Sequence, residues 1–236
     1  MNNRLLIVMP VYNEQQVIKN VLDDWINVIP NNTSNLLVIN DGSSDKTLEI
    51  LTKYQTRFSN LEVLNKKNAG HGMAILDGYS YAIENNYDYV FQIDSDNQFK
   101  IRDFHKIWEL RNNEKYDLIM GNRKNRNDPI IRVILSKIFL RAFIFFIYQK
   151  YILDPNIPYR LVKINILKKF FEFKNNKILA PNIQLSIFAK KIKFIDVDHL
   201  PREDQKNYNW SLLKICRFGL SLILELLNFR FKKIFF

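Results

Sequence analysis

Two aspartates one residue apart, Asp94 and Asp96, follow the apolar run Tyr89–Ile93 and precede Asn97 and Gln98. Carboxylates spaced this way after a strand can turn toward one divalent cation, and a neighbouring amide oxygen adds a further hard ligand. The pattern alone is common: Asp196 and Asp198 repeat it inside an alternating run, where a half-exposed strand is the simpler reading. A second group, INDGSSDKT, sets Asp41 after another apolar run, with Gly42 for a tight turn and Ser44 or Asp45 placed to cap a following helix. Capping does not account for Asp41, whose carboxylate can accept an N–H of a nucleobase. In NAGHGM, Gly70 and Gly72 open a helix and permit close backbone approach to a ligand, but neither a P-loop nor a G-x-G-x-x-G dinucleotide motif occurs. His71, His105 and His199 are too scattered for a metal triad, and structural or surface roles are expected for the last two.

These residues need a frame that brings them together. Candidate strands Leu5–Met9, Leu36–Asn40, Leu61–Leu64, Tyr89–Ile93 and Asp117–Met120 alternate with stretches of helical spacing such as Val17, Val21, Trp25 and Ile75, Tyr79, Ala82. Such alternation predicts an α/β fold, a mostly parallel Rossmann-like sheet covered by helices. Polar residues stand directly after each run: Pro10 to Glu14, Asp41 to Asp45, Asn68 to Gly72, Asp94 to Gln98 and Gly121 to Arg123. Ligands of such sheets bind at the carboxyl ends of the strands, so one edge should collect the chemistry.

At 236 residues with 47% hydrophobic and 14% aromatic content, the chain can bury one large core and is not disordered. Its single cysteine, Cys216, excludes an internal disulfide framework and a multi-cysteine zinc site, and points to a reducing, cytosolic setting. The net charge of +11 is unevenly spread. Residues 1–128 carry 15 Lys and Arg against 17 Asp and Glu, whereas 129–236 carry 20 against 7. An acidic half suits metal ions; a basic half rich in Ile and Phe suits an anionic membrane surface or a polyanion. Within the basic half, IIRVILSKIFLRAFIFFI (130–147) and the tail from Trp210 to Phe236 have the composition of helices lying in a membrane interface. Neither is long and uncharged enough to span a bilayer. The one boundary drawn is at Asp128–Pro129, between an acidic α/β core over 1–128 and a basic, amphipathic helical, membrane-interface part of the same domain over 129–236.

Together VMPVYNE, VINDGSSDKT, KNAGHGMAILDGYSYA, FQIDSDNQ and GNR resemble the inverting glycosyltransferases of family 2, which have a GT-A fold, and within them the dolichol- or polyprenyl-phosphate sugar transferases. The resemblance implies that Pro10, Tyr12, Glu14 and Asp41 line the nucleoside pocket. It implies that Asp94 contacts ribose or metal, and that Asp96 and Gln98 hold Mg²⁺ or Mn²⁺ on the diphosphate. It further implies that Arg123, Arg132, Ser136 and Arg202 gather around an acceptor phosphate, with Asp96, Arg123 and Arg202 as the catalytic set. Arginine suits that task because its planar fork bonds phosphate oxygens in pairs. Family members with a hydroxyl acceptor carry a carboxylate base at the start of a helix after the metal site; here KILAPNIQLSIFA offers Pro181, Asn182 and Gln184. A phosphomonoester is largely ionised at neutral pH and needs no base. The expected reaction is therefore transfer of a hexose-type sugar from a UDP- or GDP-sugar to polyprenyl phosphate, by an enzyme peripheral to the cytoplasmic face of the membrane. The segment DPNIPYRLVK keeps Asp154 and Arg160 but departs from the family's Asp-Thr-Ser-Gly-Phe-Arg pattern. With Asp154, Glu172 or Glu203 as a base brought in by folding, a hydroxyl of a lipopolysaccharide or capsule is the alternative acceptor. A non-catalytic basic module binding polyanions or membranes is the alternative of another class; nucleic acid is not expected, since no RNA- or DNA-binding motif occurs and the basic residues alternate with Ile and Phe.

Overall fold

A computed structural model describes residues 3–113, 115–123, 138–174, 178–201 and 212–234. The chain runs β1 (Leu5–Val11), α1 (Ile18–Ile26), β2 (Asn35–Asp41), α2 (Thr47–Gln55), β3 (Leu61–Lys66), α3 (His71–Glu84), β4 (Tyr89–Gln92) and α4 (Ile101–Glu109). It continues through β5 (Leu118–Arg123), α5 (Leu140–Tyr148), β6 (Arg160–Lys163), α6 (Ile164–Phe173), α7 (Pro181–Phe188), β7 (Ile192–Val197) and α8 (Leu212–Ile234). The strands form one sheet in the order β3-β2-β1-β4-β6-β5-β7. Among the described strands only β6 runs against its neighbours; β1, β2, β3 and β4 pair in parallel, as do β5 and β7. The mixed α/β sheet flanked by helices matches the expected class.

β1 is buried along its whole length and β2 nearly so, which is why both read as continuous apolar runs and not as alternating ones. Pro10 has no N–H to give, and it lies beyond Val8, the last residue of β1 that β4 pairs. Helix α3 packs closely on β1: a Cβ added at Gly78 would overlap Val8 and lie 3.1 Å from Ile39. Beneath the carboxyl end of β4, Phe91 stacks on Trp25 (ring centroids 5.6 Å) and meets Phe104 and Tyr159 edge-on, each at 4.9 Å. Tyr159 in turn stacks on Phe99 at 4.9 Å, which ties the cluster to the residue following the Asp94–Gln98 turn.

The basic half contributes β6 and β7 to the same sheet as well as helices. Strand β6 went unread in the sequence because it is four residues long, begins with an arginine and ends with a lysine. Helices α5 and α8 pack side by side: the Tyr148 hydroxyl donates to the Leu226 carbonyl, and Phe229 lies against Tyr148. The expected apolar helix over 130–147 is present from Leu140 to Tyr148; residues 130–137, with Arg132 and Ser136, lie outside the described residues. Among the described residues no helix is long and apolar enough to cross a membrane.

Candidate active site

Parallel strands share a carboxyl edge, and β5 runs with β4 because β6 is antiparallel to both. Tyr12, Glu14, Asp41, Asp94, Asp96 and Arg123 therefore all follow or end strands at one edge of the sheet. The loops there are braced by their own polar side chains. Asn13 takes a left-handed backbone (φ 55°), its N–H donates to Ser43 Oγ at 2.9 Å, and its side-chain oxygen accepts the Ser44 N–H at 2.7 Å. Glu14 N–H donates to Thr47 Oγ1 at 2.9 Å, and Asp45 accepts the N–H groups of Gln15 and Thr47. Asp45 thus stands one residue before Lys46, the N-cap of α2, and is not the cap the sequence suggests; it holds the N–H of the first helical residue and ties the β1 loop to the β2 loop. Glu14 is buried, while Tyr12 is 46% exposed and presents its ring to solvent.

Asp41 is 3% exposed, and its two carboxylate oxygens accept the N–H groups of Ala69 and Gly70, each at 2.9 Å. Its observed contacts thus hold the loop before α3, and each oxygen keeps acceptor capacity beyond one such bond. Gly42, at φ +72°, lets the chain turn under Asn68; a Cβ there would lie 2.7 Å from the Asn68 nitrogen. The same loop brings His71 to the site: its Nε2 stands 3.5 Å from Asp94 Oδ1. Distance in sequence hid this pairing; a glycine on either side of the histidine was the available signal.

Asp96 accepts the Gln98 N–H at 3.3 Å, and Asn97 between them adopts φ 58°, so the chain reverses just after the two aspartates. Gln98 is clamped to the loop after β7: its side-chain N–H donates to the Leu200 carbonyl at 2.9 Å, and Leu200 N–H donates to the Gln98 carbonyl at 2.9 Å. His199 is buried with its ring edge-on to Phe99. Arg202 lies outside the described residues, but the segment leading to it, as far as Pro201, leaves from beside Gln98. The other Asp-x-Asp pair is occupied otherwise: Asp196 accepts the Asn122 amide at 2.8 Å and Asp198 pairs with Arg102.

The donor set fits a hard divalent cation on a diphosphate. Asp94 and Asp96 offer carboxylate oxygens in a partly exposed turn, with the Asp94 side chain 24% exposed, and Gln98 adds an amide. Among the described residues no three His, Cys, Asp or Glu gather into a cage, which is the donor-poor situation in which substrate phosphates and water complete the shell.

Arg123, at the end of β5, forms a two-pronged ion pair with Asp154 (2.6 and 2.9 Å), both side chains about nine-tenths buried. Much of its fork is thus committed to Asp154. Arg160 is fully buried. It donates to the carbonyls of Pro155, Ile157 and Asn182 and to Ser186 Oγ, stapling the 154–158 loop to α7, and burial lowers its pKa to about 10. Glu225 of α8, read in the sequence only as a charge interrupting the apolar tail, reaches the start of α7: it accepts the Leu179 N–H at 2.8 Å and the Gln184 side-chain N–H at 2.9 Å. Its signal was there to be read, as the lone acid between residues 205 and 236.

Comparison with known proteins agrees with this geometry. The chain is 27% identical over 204 residues to undecaprenyl-phosphate 4-deoxy-4-formamido-L-arabinose transferase of Photorhabdus laumondii, covering 85% of this chain and 61% of that protein. It is 24% identical over 215 residues to UDP-N-acetylglucosamine–dolichyl-phosphate N-acetylglucosaminyltransferase of Methanococcus voltae, covering 84% of each. In fold it resembles glucosyl-3-phosphoglycerate synthase of Mycobacterium tuberculosis, crystallised with Mn²⁺, uridine diphosphate and phosphoglyceric acid. The TM-score is 0.72 at 17% identity, over 97% of this chain and 79% of that one, a likeness that establishes the GT-A arrangement. The family model for glycosyl transferase family 2 matches residues 6–172. The braced sheet edge and these matches give one conclusion: the chain is a glycosyltransferase and belongs to glycosyl transferase family 2.

Proposed function

We propose that the protein transfers a sugar from a nucleotide sugar to the phosphate of a polyprenyl phosphate at a membrane surface, with inversion at the anomeric carbon and with Mg²⁺ or Mn²⁺. The observation that carries this reading is the convergence of Asp41, Asp94 and Asp96 on one edge of four parallel strands, where nucleoside and diphosphate would lie. Pro10, Tyr12, Glu14 and Asp41 form the nucleoside side of that edge: Tyr12 offers an exposed ring face to a base, and Asp41 an acceptor to its N–H. Asp94, Asp96 and Gln98 would hold the cation, which supplies charge neutralisation for the departing diphosphate.

The acceptor follows from where the carboxylates are. Both Asp154 oxygens accept from Arg123, both Glu225 oxygens accept from Leu179 and Gln184, and Glu172 is exposed at the end of α6. Among the described residues α7 begins Pro181-Asn182-Ile183-Gln184, with no acid of its own to deprotonate a hydroxyl. A phosphate acceptor arrives ionised, and Arg123, Arg132, Ser136 and Arg202 are the residues to receive it. The names of the two relatives, both acting on polyprenyl-type phosphates, support the same acceptor.

The membrane surface suits the outer faces of α5 and α8. Phe139 just before α5, Phe145 and Phe146 on it, and Leu220, Leu224 and Phe231 on α8 are 45–72% exposed, and Arg217 is exposed one turn from Leu220. Exposed apolar rows on the basic half of the chain fit an anionic bilayer. The test is to supply labelled UDP- and GDP-sugars with polyprenyl phosphate in vesicles and either cation, and to extract the lipid. Label in the lipid phase, abolished by chelation, is the expected result. Nucleoside diphosphate release without lipid label would overturn the acceptor assignment.

A further inference from the structure

We infer that Glu225 is a positioning residue that couples membrane docking of α8 to the arrangement of the active-site edge; this rests on the membrane reading above. Along α8 the exposed row Leu220, Leu224 and Phe231 faces outward, while Leu226 and Phe229 are buried against the body and Glu225 is turned in with them. Among the described residues Glu225 pairs with no cation. Its carboxylate holds the Leu179 N–H and the fully buried Gln184 side chain, and so fixes the 178–181 loop and the first turn of α7.

That loop lies directly on the first turn of α3. A Cβ at Gly72 would stand 2.8 Å from the Leu179 carbonyl oxygen, 2.9 Å from that of Ile178 and 3.1 Å from Pro181 Cδ. The same turn of α3 begins with His71, beside Asp94, and with the Ala69 and Gly70 N–H groups held by Asp41. A continuous set of packed groups therefore runs from the lipid-facing helix through Glu225, the 178–181 loop and Gly72 to Asp41 and Asp94. A helix whose outer row is in water has nothing on that side to hold it, whereas one seated in a bilayer holds Glu225 in register. The coupled element is the 178–184 segment, ordered on the membrane and loosened away from it.

Hydrogen exchange on the whole protein tests this without any sugar donor or acceptor. Phosphatidylglycerol vesicles should slow exchange in both 178–184 and 69–75 of the wild type. In Glu225→Ala the protection of both segments should fall about tenfold, the size expected for loss of a charge-assisted hydrogen bond, at unchanged co-flotation with vesicles. Glu225→Gln keeps one acceptor oxygen and should lie between, and it decides the matter if the alanine variant does not fold. Full protection in both variants, or vesicle binding by the wild type with no protection of 69–75, overturns the coupling. Failure of the wild type to co-float overturns the membrane reading instead, and loss of sugar transfer to lipid with protection intact leaves the coupling standing.

Discussion

At the scale of single residues, neighbouring polar side chains divide between carrying chemistry and holding shape, and contacts separate the two. Arg160 is the plainest structural case: a buried guanidinium whose partners are carbonyls and a serine hydroxyl, none of them available to a ligand. Asp198 is another, spent on Arg102, with its backbone N–H held by Asp103. Asp96 differs: it stands half-buried in a turn at the sheet edge and accepts the Gln98 N–H within that turn. Asp96→Ala should therefore leave the fold intact, with unfolding free energy within ~0.5 kcal/mol of wild type, as for substitutions away from buried networks. Metal-dependent turnover should fall by about 10²-fold or more, the scale of losing one electrostatic stabiliser. Calorimetry and nucleoside diphosphate release check the two halves, and retained turnover would remove Asp96 from the cation site.

At the scale of elements, what could be read from the sequence was set by burial. β1, β2, β4 and β5 stood out because strands covered on both faces are continuous apolar runs, while the partly exposed β3 was marked by its shorter run Leu61–Leu64, and the polar residues that follow the strands marked the edge. β6 was hidden by Arg160, a charged residue buried only because the loop and α7 supply its carbonyl partners, which no local pattern records. His71 and Glu225 were missed for the same reason: their partners are 23 residues and at least 41 residues away along the chain. Close packing between elements makes its own prediction. Alanine at an exposed mid-helix glycine gains ~1 kcal/mol of helix propensity. At Gly78 the new methyl would overlap Val8, so Gly78→Ala should instead destabilise by about 1–3 kcal/mol, the range for overfilled cores. Denaturant unfolding that shows a gain would contradict the α3–β1 contact.

At the scale of the whole molecule, six tyrosines share one fate. Burial raises the phenol pKa of Tyr79, Tyr81, Tyr87, Tyr148 and Tyr159, and pushes that of Tyr54 up to about 12 with help from the Asp23 carboxylate. Because these folded-state values lie above the unfolded one near ~10, their contribution to stability is complete below that pH and is lost as pH climbs through the folded-state values. Absorbance at 295 nm should show these phenols ionising only as far-UV ellipticity collapses; ionisation near pH 10 with the fold retained would contradict their burial. The molecule as a whole joins an acidic sheet edge to a basic, apolar-faced pair of helices, an arrangement suited to a water-soluble donor and a lipid acceptor. The proposed reaction joins sugar to lipid phosphate, and phosphorus NMR of the lipid extracted after reaction with the active nucleotide sugar addresses the bond itself. The polyprenyl phosphomonoester resonance should be replaced by that of a sugar phosphodiester; an unchanged monoester with sugar attached to a hydroxyl would contradict the proposed reaction.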